Sequence, residues 1–250
     1  MGEAVQSTQM LAQPAHTDTA QGVPRPGRLR RVATRVGKLA ATLFAAYYAV
    51  CLLLLVAYRF VAPPVTGVQL ERRIGAWLGD GDYTVERTWM PDERIPRHVA
   101  RAVVAAEDGS FWTHWGYDFK EMRNASMAVF DGQMPRGAST ITQQLMKNLF
   151  GTTSQNPVRK LLDLTLAAPA EIILGKERIL ELYLNNVEWG PGIFGIEEAA
   201  RHHYGVGVRG LSRSQAAGLA ALLPNPRQRT PRNTPQYRSE ILRRMSHRGW

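Results

Sequence analysis

The longest apolar run in the chain predicts a membrane-spanning helix near the N-terminus. Residues 39–58 carry no charge and consist mostly of Leu, Ala, Val and aromatic residues. At a rise of about 1.5 Å per residue, such a run spans roughly 30 Å, the thickness of the hydrocarbon core of a bilayer. A signal peptide has a shorter apolar core, and a buried core helix of this length normally keeps a polar face. We therefore predict a transmembrane helix over residues 39–61 and a separate domain over residues 65–250.

The residues before this run predict its orientation. Residues 1–24 are rich in Gln, Thr, Ala and Gly without a helical period, which is typical of disorder. A basic cluster follows, and the positive-inside rule places such a cluster in the cytoplasm. We therefore predict that residues 1–38 are cytoplasmic and that everything after Pro63 is exported. The cluster consists of Arg25, Arg28, Arg30, Arg31, Arg35 and Lys38.

Beyond Pro96 the hydrophobic spacing predicts a mainly α-helical domain. Apolar residues recur every three to four positions, the period of a helix with one buried face. A capping box of Ser212 and Gln215 predicts the start of a helix that ends before Pro224. A short strand at Tyr83, Thr84 and Val85 is the one β element predicted. The other predicted helices contain Val99, Ala102, Val103 and Ala106; Ile141, Leu145 and Leu149; residues 157–175; and residues 176–186.

Charge and cysteine content narrow the classes of partner. The chain has 31 Lys and Arg against 21 Asp and Glu, a net charge of +10, which suits nucleic acid, acidic lipid or a phosphorylated substrate. Export makes nucleic acid an unexpected partner. The single cysteine, Cys51, lies in the apolar run, where it behaves as a small hydrophobe and forms no intramolecular disulfide.

Two adjacent carboxylates, Glu107 and Asp108, end the first helix of the domain and are followed by aromatic residues, His114 and Gly116. A carboxylate that is partly desolvated by apolar neighbours has a raised pKa, which suits proton transfer. The alternative is that both carboxylates simply end the helix in solvent. The local pattern does not separate the two interpretations.

A second stretch, from Gly137 to Asn148, places polar side chains on one helix face. Thr140, Gln143, Gln144 and Lys147 are spaced for one stripe, which suits phosphate or sugar binding, although a solvated helix face has the same spacing. Farther on, Arg159 and Asp163 are four residues apart and suit an ordinary surface ion pair. No single stretch identifies an enzyme.

In this order, the stretches resemble the motifs of the peptidoglycan glycosyltransferases of family 51. The pattern E-D-x-x-F-x-x-H-x-G is matched from Glu107 to Gly116, and G-x-S-T-I-T-Q-Q-x-x-K-N is matched from Gly137 to Asn148. The third motif is matched by Arg159 and Lys160, the fourth by residues 176–185, and the fifth by residues 195–200. The resemblance covers roughly residues 85–230. The remaining length has no room for a penicillin-binding domain, so we expect the monofunctional branch of the family.

The resemblance implies a lysozyme-like helical fold and lipid II as substrate, at the cytoplasmic (inner) membrane. The implied base is Glu107, which deprotonates the acceptor 4-hydroxyl for an inverting attack that expels undecaprenyl pyrophosphate, and Asp163 is the second implied catalytic carboxylate. Partners implied are lipid II, the growing glycan strand, membrane lipid and other cell-wall synthesis and division proteins. No cofactor is specified beyond a divalent cation, Mg or Mn, beside the pyrophosphate. The implied substrate-binding residues are Asp108, Ser139, Thr140, Gln143, Gln144, Lys147, Asn148, Arg159 and Lys160, of which Lys147, Arg159 and Lys160 stabilise the leaving group.

An apolar, methionine-rich segment separates the first two motifs, without an obvious strand or long helix. In the family that it resembles, this segment is a mobile lobe that dips into the bilayer; the alternative is that its side chains belong to the core. The segment contains Phe119, Met122, Met127, Val129, Phe130 and Met134.

Three features depart from the family or from helix rules. The third motif normally ends in glutamate, where this chain has Asp163, and an expected arginine is replaced by Gln155. Pro169 lies inside a predicted helix, where we expect a kink. These departures motivate a rival hypothesis, a weak or inactive homologue that binds lipid II or wall-synthesis partners. A lytic hydrolase is a third hypothesis.

Arginines after Pro224 suit either contact with anionic lipid or a solvated end.

Overall fold

The computed structural model describes residues 27–79, 84–132, 139–154 and 157–250. The chain divides into two compact units, Met1–Ala46 and Tyr47–Trp250. The described part of the first unit is purely helical, because it consists of the first turns of α1. The predicted disorder of residues 1–24 lies outside the described residues.

The N-terminal helix α1 runs from Gly27 to Tyr58. It is long and apolar enough over Arg30–Tyr58 to cross a membrane, and most of that stretch is exposed. The helix begins earlier than the predicted span, so Arg31, Arg35 and Lys38 lie within its first turns. The candidate span is therefore continuous with the basic cluster.

The mainly helical prediction is confirmed. The described residues after α1 form nine further α-helices and one small hairpin. At the place of the predicted strand, the residue after Val85, Glu86, forms a single β-bridge to Ile193 of this hairpin. Tyr83 lies outside the described residues. The helices are α2 (Gly67–Leu78), α3 (Arg97–Glu107), α4 (Phe119–Phe130), α5 (Ile141–Phe150), α6 (Pro157–Leu174), α7 (Lys176–Asn186), α8 (Ile196–Tyr204), α9 (Arg213–Ala220) and α10 (Pro235–His247), with 3-10 turns at Asp92–Arg94 and Val208–Gly210 and antiparallel strands β1 (Glu188–Gly190) and β2 (Ile193–Phe194).

Local sequence signals explain where the helices begin. Thr140 caps α5 by accepting a hydrogen bond from the backbone N–H of Gln143, and the predicted capping box of Ser212 and Gln215 begins α9. The methionine-rich segment from Phe119 to Met134 has no obvious helix in its sequence pattern, but its first part forms α4, Phe119–Phe130. Met134 lies outside the described residues. Helix α4 begins directly after Asp118, whose side chain accepts a hydrogen bond from the N–H of Glu121, as an N-terminal capping residue does.

Helix α5 is the centre of the domain and packs against α6 and α7, while α3 packs against α9 and α10. Its inner face, Ile141, Leu145 and Met146, is fully buried. The last turns of α1 join this core, since Cys51 and Leu55 are buried there. Tyr47 Oη donates to the carbonyl of Phe150 over 2.6 Å.

Pro169 lies inside α6, which continues on both sides of it. Proline has no N–H, so the carbonyl of Thr165, four residues earlier, loses its helical hydrogen bond. Tyr48 Oη donates to that carbonyl over 3.0 Å. A side chain from α1 therefore replaces the bond that the proline removes.

Candidate active site

Glu107 is the last residue of α3, and its carboxylate is held from α5. Gln144 Nε2 donates to Glu107 Oε2 over 2.8 Å. The other end of the same amide, Gln144 Oε1, accepts from Tyr183 Oη over 2.9 Å. Because Tyr183 is fully buried, its hydroxyl fixes which end of the amide faces Glu107. Three helices thus determine where this carboxylate lies.

Burial raises the pKa of Glu107. The Gln144 hydrogen bond and the charges of Lys147 and Arg229 oppose the rise in pKa, and the charge of Asp108 adds to it. The pKa of the Tyr183 hydroxyl is also raised, well above its usual value, first by its burial and then by the charge of Glu107. Tyr183 therefore remains a neutral hydrogen-bond donor.

Asp108 joins the end of α3 to the start of α5. His114 Nε2 lies 2.9 Å from both carboxylate oxygens, and the N–H of Ile141 donates to Oδ2 over 2.9 Å. His114 Nδ1 accepts from the N–H of Gly116 over 3.0 Å, so the ring carries its proton on Nε2 and donates it to Asp108. Asp108 is only 6 % exposed, so the alternative that its carboxylate ends the helix in solvent is wrong.

The carbonyl of Gly116 receives two of the predicted substrate-binding side chains. Thr140 Oγ1 donates to it over 2.8 Å and Gln143 Nε2 over 3.0 Å. Gly116 has φ +81°, and a Cβ there would lie 3.1 Å from the carbonyl oxygen of Ala167, so glycine is required.

None of the four residues of the polar stripe on α5 is more than partly exposed, so the solvated-face interpretation is wrong. Thr140, Gln143 and Asn148 are all buried. Asn148 Nδ2 donates to the carbonyl of Gln144 over 2.8 Å. Only Gln144 and Lys147 are partly exposed.

A cavity of about 770 Å³ opens in front of Glu107. One wall contains predicted residues from the two first motifs: Glu107, Asp108, Ser139, Thr140 and Gln144. A second wall of the cavity was not predicted: it is formed by Arg229, Tyr237, Arg244 and Arg248, from the arginine-rich segment after Pro224. These three arginines line the cavity, and Arg248 is also exposed to solvent. Their sequence signal was only an excess of arginine, which does not indicate a contact across more than 100 residues.

The predicted leaving-group residues follow α5 and α6 away from Glu107. Lys160 Nζ lies 3.0 Å from Ser139 Oγ at the edge of the cavity. Asp163 is buried, and a Cβ on Gly151 would lie 3.4 Å from its Oδ1. Its predicted ion pair with Arg159 stays a prediction. The carboxylate of Glu107 bonds to Gln144, and that of Asp163 lies near Gly151, about two helical turns farther along α5. These two carboxylates are therefore separated by roughly 10 Å along the helix. Gly137, Gln155 and the side chain of Arg159 lie outside the described residues.

The described residues contain no group of three or more His, Cys, Asp or Glu side chains placed to hold a metal ion. The carboxylate of the next residue, Asp108, already accepts hydrogen bonds from His114 and from the N–H of Ile141.

Comparison with known proteins gives one consistent result. The family model described as Transglycosylase matches residues 73–247. A biosynthetic peptidoglycan transglycosylase of Pseudomonas fluorescens (strain Pf0-1) is 47% identical over 175 residues, 70% of this chain and 73% of that protein. Proteins of the same name from Ectopseudomonas mendocina (strain ymp), at 47% identity over 70% of this chain and 72% of that protein, and from Stutzerimonas stutzeri (strain A1501), at 44% over 80% and 81%, are also similar.

Proposed function

The chain belongs to the transglycosylase family and is a peptidoglycan glycosyltransferase of cell-wall biosynthesis, and from this premise we propose that it polymerises lipid II with Glu107 as general base. Glu107 removes the proton of the 4-hydroxyl of the acceptor N-acetylglucosamine. The resulting oxygen nucleophile forms a bond to the anomeric carbon of the donor N-acetylmuramic acid. The bond from that carbon to undecaprenyl pyrophosphate breaks on the opposite side, so the configuration inverts.

The observation that carries this proposal is the fixed carboxylate of Glu107 at the wall of the cavity. Gln144 occupies one oxygen, and Tyr183 holds Gln144 in place. Burial raises the pKa of Glu107, which makes the carboxylate a stronger base than an exposed glutamate. A carboxylate that is oriented before the substrate arrives also avoids reorganisation during the reaction.

The leaving pyrophosphate is assigned to the α5 and α6 side of the cavity. Lys147 and Lys160 project from these helices, and Lys160 reaches Ser139 at the cavity edge. Positive charge placed where the leaving group gathers negative charge stabilises the transition state. Arg159 and Asp163 are assigned to the same side of the cavity from their motif. The remaining predicted substrate-binding residues contribute mainly by fixing the shape of the cavity wall: Asp108, Thr140, Gln143 and Asn148.

A divalent cation, Mg or Mn, enters this proposal only as a companion of the substrate pyrophosphate, whose charge it would neutralise. Partners among other wall-synthesis and division proteins stay a prediction.

The anchor and the α4 region fit a substrate that is itself embedded in lipid. We assign α1 to the cytoplasmic membrane, with the N-terminus in the cytoplasm because the basic residues precede the apolar run. On α4, Phe119, Met127 and Phe130 are exposed, which disagrees with the core alternative. These side chains are suited to dipping into the bilayer, as are the exposed rings of Trp112 and Trp115.

The test uses the full chain purified in detergent with lipid II, and products are separated by length. Wild type is expected to make glycan polymer, and Glu107→Gln is expected to make none while still binding lipid II. Incubation with preformed glycan strands, which we expect to remain intact, distinguishes a transferase from a lytic hydrolase. Polymer formed by Glu107→Gln at the wild-type rate would refute the base assignment.

A further inference from the structure

The part of the cavity lining that follows Pro224 carries positive charge, and its one role so far is the effect of Arg229 on the pKa of Glu107. Arg229 donates to the carbonyl of Ala221 over 3.1 Å, and its guanidinium carbon lies 5.5 Å from the ring centroid of Tyr237. Arg248 lies 5.3 Å from the ring centroid of Trp250. Among the described residues, neither arginine has an ion-pair partner. Guanidinium groups without a carboxylate partner, facing a cavity, are suited to an oxyanion of a ligand.

The position of Arg248 depends on its neighbour in the cavity wall. A Cβ on Gly109 would lie 2.6 Å from Arg248 Nη2, so a side chain at position 109 would displace the guanidinium. Gly109 is two residues from Glu107. Arg248 is thereby held next to the backbone that follows the catalytic carboxylate.

The scaffold of this wall is anchored to α3. Tyr237 Oη donates to the carbonyl of Ala106 over 3.0 Å, and Arg244 Nη1 donates to the carbonyl of Ala105 over 3.0 Å. Glu240 neutralises Arg244 through an ion pair, which leaves Arg229 and Arg248 as the unneutralised arginines of the wall. The geometry is fixed because both bonds end on carbonyls adjoining Glu107.

We propose that Arg229 and Arg248 form a subsite for a carboxylate of the stem peptide on the acceptor lipid II. This inference rests on the proposed function, since Glu107 must face the acceptor sugar whose hydroxyl it deprotonates. The sugar itself is neutral, so the anionic groups of the acceptor are its pyrophosphate and its stem-peptide carboxylates.

The placement of the wall favours the peptide over the pyrophosphate. The pyrophosphate is tied to a lipid tail and stays at the membrane surface. The last turns of α1 contact α5, α6 and α7, through bonds of Tyr47 to Phe150, Tyr48 to Thr165 and Arg178 to Tyr58. Helix α10 instead packs on α3 and α9. Arg229 bonds to the carbonyl of Ala221 at the end of α9, and Arg248 directly follows α10, so both arginines lie beside α9 and α10 and not beside the helices that the last turns of α1 contact. A stem peptide, which is not tied to the lipid tail, can reach this part of the cavity.

The test compares two forms of lipid II, one with free stem-peptide carboxylates and one with these carboxylates amidated. For wild type we expect kcat/KM to be about tenfold higher with the free carboxylates, mainly through KM, as expected for a charge-assisted hydrogen bond. Arg248→Gln should bring the ratio close to one by slowing only the carboxylate form. Arg229→Gln should also lower the ratio, together with some loss of rate on both forms, because the charge of Arg229 also acts on the pKa of Glu107. Arg243→Gln, at an exposed position on α10 that does not line the cavity, is the matched control and should keep the ratio.

Equal kcat/KM for the two forms of lipid II in wild type would overturn the proposed subsite. An equal loss of kcat/KM on both forms in Arg248→Gln would overturn it as well. Inorganic pyrophosphate supplies the competing outcome: if it inhibits wild type but not the arginine variants, the wall binds phosphate and the peptide assignment is wrong. Wild type that polymerises neither form contradicts the proposed function instead. In that case the affinities of the two forms for wild type and Arg248→Gln, measured in the same detergent, still test the subsite.

Discussion

Gln144 donates from Nε2 to Oε2 of Glu107 over 2.8 Å, and this one bond joins the motif at the end of α3 to the motif on α5. The two motifs therefore act as one unit: the first supplies the carboxylate and the second fixes its direction. Tyr183, from the fourth motif, completes the chain by holding Gln144.

Gln144→Leu is expected to reduce polymerisation about 10- to 100-fold, because Glu107 loses its orienting partner. The same change removes an interaction that lowers the pKa of Glu107, so the acid limb of the pH profile of kcat/KM should move to higher pH. Tyr183→Phe leaves the amide in place and should give a smaller loss. The rate and the pH profile are measured together, and a loss of rate without movement of the acid limb would contradict the role given to Gln144.

Glu107→Gln is expected to stabilise the fold at neutral pH while abolishing activity. The pKa of Glu107 is raised in the folded state, so the unfolded chain releases the proton first as pH rises. The contribution of Glu107 to the free energy of unfolding is fully present below the ordinary glutamate pKa of about 4.3. It is lost as pH rises through the raised pKa of Glu107 in the folded state. Thermal unfolding of both proteins should therefore show a higher midpoint for the variant at pH 7 and a difference that shrinks in acid. A variant less stable than wild type at pH 7 would contradict the burial argument.

Asp108→Asn is expected to lower the free energy of unfolding by about 2–3 kcal/mol, since charge-assisted bonds are lost in a buried site. The carboxylate accepts from His114 and from the N–H of Ile141 at once, and an amide can replace only one acceptor oxygen. Urea unfolding measures the effect. Asp131→Asn, at an exposed position after α4, is the control and should change stability little.

Tyr48→Phe is expected to cost about 1 kcal/mol, because the carbonyl of Thr165 loses the donor that Pro169 does not supply. Pro169→Ala should restore a backbone donor, so the double variant should lose less than the tyrosine change alone. Thermal unfolding of the four proteins measures this coupling. Additive effects would show that the tyrosine and the proline are independent.

The sequence predicted the helical class, the capping box before α9 and the motif residues around Glu107, because these depend on local spacing. It did not predict α4, whose mixed face lacks a clear helical period. It also did not predict the wall of Arg229, Tyr237 and Arg248, because their distance from Glu107 along the chain hides a contact made through α3 and α10. The structural roles of Asn148 and Gln143 were not predicted either, because a motif position does not show that the side chain bonds to a backbone carbonyl.

Asp163→Glu tests whether the shorter carboxylate is a handicap or part of the design of this site. Restoring the glutamate of the motif would raise turnover if reach were limiting. The side chain, however, is buried and its Oδ1 faces Gly151, so an added methylene must be packed into a filled space at a typical cost of about 1–3 kcal/mol. We therefore expect lower turnover and lower stability in this variant, whereas Asp163→Asn should lower turnover with a smaller effect on packing. Lipid II polymerisation and thermal unfolding are measured on the same preparations. A variant that turns over faster than wild type without loss of stability would show that the space around Gly151 accommodates the longer arm, and that Asp163 limits the natural rate.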